Sequence, residues 1–453
     1  MTSIADVRER QRAVLDRARP VDRRARPDRW SAADFVSTTR TQMLSSFWGC
    51  EVPGSGAYDE LLTGAVVAAN QLGWSTGSAC EALTRGWRAV DAGDDEVRKA
   101  ALADAVFDAL ETGRPGNAGS FGSPPRFAPP APFDLNIGDL EQRMLASWQA
   151  KIAGGAFGTA LEGCRGQAIE AVYGPVRAYV SAPSTLNDDV VYELVALDVI
   201  AAHGMKATTA DYAQQWLARI PFGWSAEWVT LDNLQRGSIP SNAAVLRNPM
   251  TSWIGAQMRG MVFGQLTPGH PENAAALARI EASVSHRGDG VEGGAFAAIL
   301  SSLAFARDDA QLLVAEALTV LPASSYRSSL ELCAAWCAAS ASFDDVWPLI
   351  EARFVDHNWV HAIPNAAAVV CALWFGGGDV TESFALLARA GLDVDCNAGL
   401  VGTVLGAMHG HVPSEWTDPL NDRIDTYLLD LPSVSISELA ERTLRIVHSL
   451  DER

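Results

Sequence analysis

Apolar residues recur three and four positions apart along almost the whole chain after residue 135, and this spacing constrains the fold more than any other feature. Such periodicity predicts α-helices with one face buried. We predict helices over residues 139–153, 189–203, 274–283, 293–305, 308–321, 328–340, 365–375, 381–390 and 436–450. No convincing run alternates with a period of two, and the nearest is residues 177–181. The chain is therefore predicted to be all-α, which excludes folds whose ligand sites lie at the ends of parallel strands.

Composition divides the chain once. The sequence GRPGNAGSFGSPPRFAPPAP, which starts at residue 113, cannot continue a helix or a strand and indicates a linker. Helical spacing precedes it over residues 57–72 and 96–110. We predict an N-terminal helical accessory domain over residues 1–112, a Gly/Pro-rich linker over 113–134 and a second domain over 135–453. No period of fixed length repeats, which argues against a solenoid.

Charge and cysteine content narrow the functional classes. The 453 residues are 48% apolar and carry a net charge of -19, so neither nucleic acid nor an anionic membrane is expected as a partner. The Arg-rich opening stretch is not followed by an apolar segment, which argues against a signal peptide, and apolar runs elsewhere are too short to span a bilayer. Seven scattered cysteines are not a disulfide framework. We expect a cytoplasmic protein, and its oligomeric state is left open.

Two acidic clusters interrupt apolar sequence at predicted helix starts. Asn187, Asp188 and Asp189 precede one helix, and Asp393 and Asp395 precede another that carries several glycines. A single cluster of this kind is more often a helix cap than a metal site. Two such clusters in a helical bundle can converge on one site, where a divalent cation would relieve the repulsion between four carboxylates. Oxygen ligands favour magnesium or manganese.

Three further segments carry polar residues in apolar surroundings. Glu162 ends the run GGAFGTALEG, where partial desolvation would favour its protonated form. Arg259 lies among small residues in WIGAQMRG, and Ser285 and His286 precede a Gly-rich turn that contains Gly290. Taken separately, each of these segments is more often structural than functional.

In their order and approximate spacing, GAFGTALEG, NDDVVYEL, WIGAQMRG, SHRGDG and LDVDCNAG resemble the ADP-ribosylglycohydrolase family over about residues 140–410. The resemblance implies an all-α fold with a centre of two metal ions, magnesium or manganese, and hydrolysis of a glycosidic bond at the anomeric carbon of ADP-ribose. The substrate would be an ADP-ribosylated molecule or a small ribosylated compound. The N-terminal unit lies outside the resemblance.

The resemblance also implies roles for single residues. The metal ligands would be Asn187, Asp188, Asp189, Asp393, Asp395 and Cys396; the catalytic residues would be Glu162 and Asp189; and the substrate-binding residues would be Arg259, Ser285, His286 and Gly290. Three positions depart from the family pattern. Asn187, Val190 and Cys396 stand where the family has threonine, and a thiol is a poor ligand for a hard cation. We therefore expect one secure metal site and a second that is weaker or different in preference.

Two alternatives to a hydrolase remain open from the sequence. The altered ligand positions favour a non-catalytic protein that binds ADP-ribose or a nucleotide. The presence of Glu162 and the four aspartates favours an enzyme instead. Such an enzyme could act on a small ribosylated metabolite of specialised metabolism. The N-terminal unit could also dock a partner, with the family domain as scaffold.

Two motifs are interpreted as structural. His357 and His361 in HNWVH are spaced like a zinc pair, but without the HExxH glutamate packing or capping is the better interpretation. Ser225 and Glu227 open a predicted helix like a capping motif, although the same segment could line the rim of a pocket.

Overall fold

The computed structural model describes residues 3–20, 58–90, 96–115 and 137–451. Helices dominate these ranges, so the all-α prediction is confirmed. The first four are α1 Ile4–Arg17, α2 Tyr58–Gln71, α3 Gly77–Val90 and α4 Glu96–Gly113. They are followed by α5 Leu140–Gly158, α6 Gly166–Tyr173, α7 Asp188–His203, α8 Thr209–Arg219, α9 Ser225–Gln235, α10 Pro240–Ala243, α11 Gly255–Leu266 and α12 Pro271–Ala282. The last are α13 Asp289–Ala304, α14 Ala310–Val320, α15 Ser325–Ala339, α16 Phe343–Arg353, α17 Ala362–Phe375, α18 Val380–Ala390, α19 Val394–His409, α20 Ser414–Thr417 and α21 Ile436–Asp451.

Short strands add little to this helical architecture. Strand β1 (Cys164–Arg165) pairs antiparallel with β2 (Gly391–Leu392), and Cys164 lies opposite Leu392. Strands β3 (Ile424–Leu428) and β4 (Leu431–Val434) form a hairpin that the sequence pattern does not predict. Its strands are only five and four residues long, which is too short for a clear alternation of apolar and polar residues.

The centre of the bundle is the contact between α5 and α19, which approach each other through glycines. A Cβ atom placed at Gly402 would lie 2.2 Å from the carbonyl oxygen of Ala150, and one at Gly406 would lie 2.3 Å from that of Ala146. At Gly158 it would lie 2.1 Å from the backbone nitrogen of Asp395. No side chain fits into such gaps, so the two backbones are in direct contact.

The N-terminal helices share an apolar cluster with the segment that surrounds α9. Leu62, Ala65 and Val66 of α2 and Phe107 of α4 are buried in the same cluster as Trp228 and other residues of that segment. The rings of Phe107 and Trp228 meet edge to face, with centroids 5.7 Å apart. The predicted boundary over 113–134 lies outside the described residues from position 116 onward, and the division into domains stays a prediction.

Along the described ranges, none of the helices combines the length and the apolar character needed to cross a bilayer.

The contact between α5 and α19 predicts the outcome of one substitution. Gly406→Ala should lower the free energy of unfolding by about 1–3 kcal/mol, because the added methyl group overlaps the Ala146 carbonyl oxygen and the helices must separate. Urea denaturation of the wild type and the variant measures this loss.

Gly77→Ala is the matched control, because a Cβ atom at this helical position meets nothing within 4 Å. It should change the free energy of unfolding by about 0.5 kcal/mol or less. Equal losses in the two variants would contradict the close contact.

Candidate functional site

The two acidic turns meet in space although they are far apart in sequence. Asn187 caps helix α7, and its Oδ1 accepts a hydrogen bond of 2.6 Å from the backbone nitrogen of Asp189. The Nδ2 of the same side chain donates to Asp395 Oδ2 at 3.1 Å, across 208 positions of sequence. The thiol of Cys396 donates to Asp189 Oδ1, with 3.4 Å between sulfur and oxygen. The structure therefore brings the predicted ligand positions together, and their role in metal binding stays a prediction.

The carboxylates of these turns are crowded and buried. Asp189 is 2% exposed and Asp393 and Asp395 are each 4% exposed, whereas Asp188 is partly exposed. Burial raises the pKa of Asp188, Asp189 and Asp393 well above the ordinary value, and the negative charges of their acidic neighbours add to the effect. The site disfavours its own negative charge, so a bound cation would stabilise the ionised form.

Several oxygens of this cluster have the arrangement that a cation site requires. Among the described residues, Asp189 Oδ2 and Asp393 Oδ1 are buried without a hydrogen-bond partner. Ligand atoms of Asp393, Asp395 and Cys396 all lie within 4.8 Å of one another. Buried polar atoms without partners are rare in proteins, and an ion is one of their explanations. These oxygens are therefore candidate ligand atoms.

Glu162 lies beside the second acidic turn because the backbone anchors it there. Its backbone nitrogen donates to the Gly158 carbonyl at 2.9 Å, directly after α5. Gly163, with φ of 75°, donates its backbone N–H to the carbonyl of Leu392 at 2.8 Å, and β1 continues this pairing. The charge of Glu162 contributes to raising the pKa of Asp393, after burial and Asp395. Glu162 is 8% exposed and its charge acts on Asp393, and its catalytic role stays a prediction.

Leu392 takes a left-handed conformation directly before Asp393. Its φ is 66°, which is unfavourable for a residue with a branched side chain and persists only where surrounding structure holds it. The strand pairing with Cys164 provides this support. The turn directs the chain from β2 into α19 with Asp393 at the helix start.

Asn365 is a site residue that the sequence reasoning missed. Its Oδ1 accepts from the backbone nitrogen of Asp393 at 3.2 Å and from Asn397 Nδ2 at 2.8 Å. Its Nδ2 donates to the carbonyls of Trp359 and His361. The sequence feature that could have revealed Asn365 is an asparagine in the first turn of an apolar helix, close to the histidine pair. His361 caps α17 through Nδ1, in agreement with the capping interpretation.

Arg259 is the centre of a buried ion-pair network. Its guanidinium donates to Glu227, to Glu281 at 2.8 Å and to the Ser285 hydroxyl at 2.9 Å. Burial raises the pKa of Glu281 to about 7, although the positive charge of Arg259 opposes the shift. Arg259 is 1% exposed, so in this structure it positions acidic side chains. Its predicted contact with substrate stays a prediction.

Glu227 corrects the capping interpretation of its segment. Neither its side chain nor that of Ser225 caps α9; Glu227 is instead buried against Arg259, and its charge contributes to the raised pKa of Asp188 after burial, Asp189 and Asp395. The alternative that this segment lines the rim of a pocket stays a prediction. In sequence, a glutamate near a helix start looks the same whether it caps the helix or is buried in an ion pair. Only tertiary packing distinguishes these two roles.

Ser285, His286 and Gly290 lie in a segment that is joined to the Arg259 network through the Ser285 hydroxyl. Ser285 Oγ lies 2.7 Å from His286 Nδ1, and both side chains are fully buried. Burial and the positive charges of Arg259 and Arg287 lower the pKa of His286 well below its ordinary value, so the ring is neutral. A Cβ atom at Gly290 would lie 2.2 Å from the Thr251 carbonyl oxygen, so this glycine permits close packing. Their predicted contacts with substrate also stay predictions.

A second buried ion pair acts on the acidic centre. Lys151 Nζ is 3.0 Å from Glu193 Oε2, and the two side chains are 2% and 0% exposed. Burial raises the pKa of Glu193 to about 7 against the opposing effect of Lys151. The charge of Lys151 also opposes the raised pKa of Asp189, after the larger effects of burial and Asp395. This cation is thus already paired with a glutamate and compensates the aspartates only in part.

Together, the fold and the site define an all-α protein with a buried acidic centre in which aspartates could hold a divalent cation.

Residues 137–449 match the family model of ADP-ribosylglycohydrolase, and the chain belongs to the ADP-ribosylglycohydrolase family. A solved structure described as an ADP-ribosylglycohydrolase-related protein complex is similar in fold, with a TM-score of 0.50 and 17% identity. The match covers 70% of this chain and 100% of that one, and at this identity it shows the fold alone. No curated protein matches the sequence. The predicted family is confirmed, and its members are generally glycohydrolases.

The network around Arg259 predicts a large effect on stability. Arg259→Met should lower the free energy of unfolding by about 3–5 kcal/mol, because it leaves Glu227 and Glu281 buried without their cation. Chemical denaturation followed by circular dichroism measures the loss.

Arg307→Met is the control, because Arg307 pairs with Glu316 at the surface, where both side chains are about 40% exposed. A surface pair of this kind contributes about 0–1 kcal/mol. A loss at Arg259 no larger than that at Arg307 would contradict the assignment of a tightly coupled buried network.

Proposed function

We propose that this chain is a divalent-metal-dependent glycohydrolase that cleaves a ribosyl bond, either of an ADP-ribosyl group or of a related N-riboside. The observation that carries the proposal is the hydrogen bond between Asn187 and Asp395, which unites the two acidic turns into one centre beside Glu162. Membership of the family supports a glycohydrolase-type function independently of this geometry.

The residues present fit a hard divalent cation. Carboxylate oxygens dominate the centre, and two of them are buried without a partner among the described residues. Asp188, Asp189, Asp393 and Asp395 would hold magnesium or manganese, which when bound supplies Lewis acidity toward water and the ribose hydroxyls. We assign Asn187 to joining the turns, because its amide already bonds Asp189 and Asp395. Two ions remain our expectation, with the second site weaker.

Cys396 has a different role from the aspartates that we propose as metal ligands. Burial and the surrounding aspartates raise the pKa of its thiol well above the ordinary value, so it stays protonated and donates to Asp189. A protonated thiol is not a ligand for magnesium. It fixes the Oδ1 atom of Asp189 and leaves the buried Oδ2 atom of this carboxylate without a hydrogen-bond partner among the described residues.

The chain itself performs the proton transfer in this proposal. At the anomeric carbon, departure of the leaving group develops oxocarbenium character, so a proton must reach the leaving atom and a water molecule must be deprotonated. We assign the Glu162 carboxyl to donate its proton to the leaving atom, after which its carboxylate accepts a proton from the attacking water. Asp189 orients the attacking water through its Oδ2 atom.

A non-catalytic binding protein is the second candidate. The observation in its favour is the thiol of Cys396 on Asp189, because the hydrogen bond occupies one oxygen of a proposed ligand. Such a protein would bind ADP-ribose or a nucleotide without cleaving it.

Substitution of Glu162 separates the two candidates. If Glu162 transfers the proton, Glu162→Gln should lower turnover by about 10²- to 10⁴-fold while melting still rises with added Mn²⁺. Asp395→Asn should lose both turnover and the Mn²⁺ effect. The assay is release of free ribosyl product from a panel of ADP-ribosyl and small N-riboside compounds, after the protein is stripped with chelator.

Glu170→Gln, on the exposed side of α6, is the matched control and should behave like wild type. Turnover of the Glu162 variant at the wild-type rate would remove Glu162 from its role. A wild type that binds a panel member tightly and cleaves none would favour the binding protein.

A further inference from the structure

We propose, on the basis of the function above, that helix α1 lies across the mouth of the acidic centre and restricts this glycohydrolase to small ribosyl compounds. An ADP-ribosyl group attached to a folded protein would be excluded. The proposal concerns a helix outside the region that matches the family, which begins at residue 137.

Polar contacts place α1 over the segments that lead into the centre. Asp16 Oδ1 is 2.6 Å from Arg165 Nε in β1, three positions after Glu162. Arg12 is 2.8 Å from Asp356, and the amide of Asn358 donates to Gln11 Oε1 at 3.1 Å. The helix therefore bridges β1 and residues 356–358.

Trp359 is buried under four side chains, and with three of them it forms a group that we call the aromatic rim: Trp224, Trp359, Val360 and Leu392. The fourth is Leu15 of α1, which packs against Trp359. Leu392 immediately precedes Asp393, and Trp224 lies three positions before Glu227.

The aromatic rim is also connected to the centre by hydrogen bonds. The carbonyl of Trp359 accepts from Asn365 Nδ2 at 2.8 Å, and the Oδ1 of the same Asn365 accepts from the backbone nitrogen of Asp393. Leu15 thus packs on Trp359, and Asn365 joins the backbone of Trp359 to that of Asp393.

The N-terminal helices hold α1 in this position. Val7 is fully buried in the apolar cluster that also contains Trp253 and Trp228, and Arg8 donates to Asn70 of α2 at 2.9 Å. A Cβ atom at Gly64 of α2 would lie 2.9 Å from the amide nitrogen of Asn358. The N-terminal unit therefore packs against the rim side of the site and carries α1 with it.

The acidic side chains of the centre are little exposed. Glu162, Asp189, Asp393 and Asp395 are each exposed by 8% or less, and Asp188 alone among the five is partly exposed. A compact ribosyl compound needs only a brief separation of α1 from the rim. A protein-linked ADP-ribosyl group needs the mouth to stay open around a bulky attachment.

The contacts that close the mouth are weak enough to open. The ion pairs of Arg12 and Asp16 lie at the surface, where the side chains are 29–56% exposed, and such pairs contribute little to stability. Separation of only the C-terminal part of α1 would break these pairs and uncover Leu15, while Val7 near the start of the helix stays buried.

The test uses the full chain and two ways of loosening α1. One variant is Leu15→Glu, and the other is the double substitution Arg12→Ala with Asp16→Ala, which changes only surface side chains and keeps the fold. Arg17→Ala is the control, because Arg17 is exposed on the same helix. Each protein is assayed with small N-ribosides and with an ADP-ribosylated protein, and its affinity for free ADP-ribose and for the same protein conjugate is measured.

We expect wild type and Arg17→Ala to prefer the small compounds by at least tenfold in kcat/KM or in affinity. Both α1 variants should reduce this preference at least tenfold by gaining activity or binding toward the conjugate. Equal use of conjugate and small compounds by wild type would overturn the role of α1, and so would an unchanged preference in both variants. Binding with the expected preference but no turnover would overturn only the hydrolase proposal. A chain that neither binds nor cleaves any of these compounds would overturn both.

Discussion

The direct backbone contact between helices α5 and α19 is the constraint on which the rest of the site depends. Gly158, Gly402 and Gly406 remove the side chains that would separate the two helices. Because α5 leads into Glu162 and α19 begins after Asp393, the same contact sets the distance between the proposed acid and the second acidic turn. Asn187 then ties the start of α7 to Asp395. A few small residues thus determine the position of charged groups from three helices.

The buried Arg and Lys side chains are paired with glutamates, which explains why the aspartates of the acidic centre need a cation from solution. Arg259 is paired with Glu227 and Glu281, and Lys151 is paired with Glu193. Both cationic side chains are therefore already paired with glutamates. The aspartates of the centre raise one another's pKa values, in addition to the effect of burial. Charged groups that repel one another in a buried site are costly unless a partner of opposite sign is bound.

The sequence predicted the helical class and the meeting of the acidic turns, because these depend on local periodicity and on a family pattern. It did not predict the burial of Glu227 or the anchoring by Asn365, since a glutamate or asparagine near a helix start has the same local signature as a cap. The packing of helix α1 against residues of the family domain was also not predicted. Its Arg-rich sequence indicates solvent exposure, and its apolar contacts, such as Leu15 on Trp359, are made with residues far away in the sequence.

The central claim is that the two acidic turns form one metal centre, and anomalous diffraction from crystals grown with Mn²⁺ tests it most directly. The account predicts an anomalous peak enclosed by Asp188, Asp189, Asp393 and Asp395, with a second and weaker peak nearby if both sites fill. The same crystals of Asp395→Asn should lose the main peak. Crystals of wild type with Mn²⁺ bound elsewhere, or with none at millimolar concentration, would contradict the account.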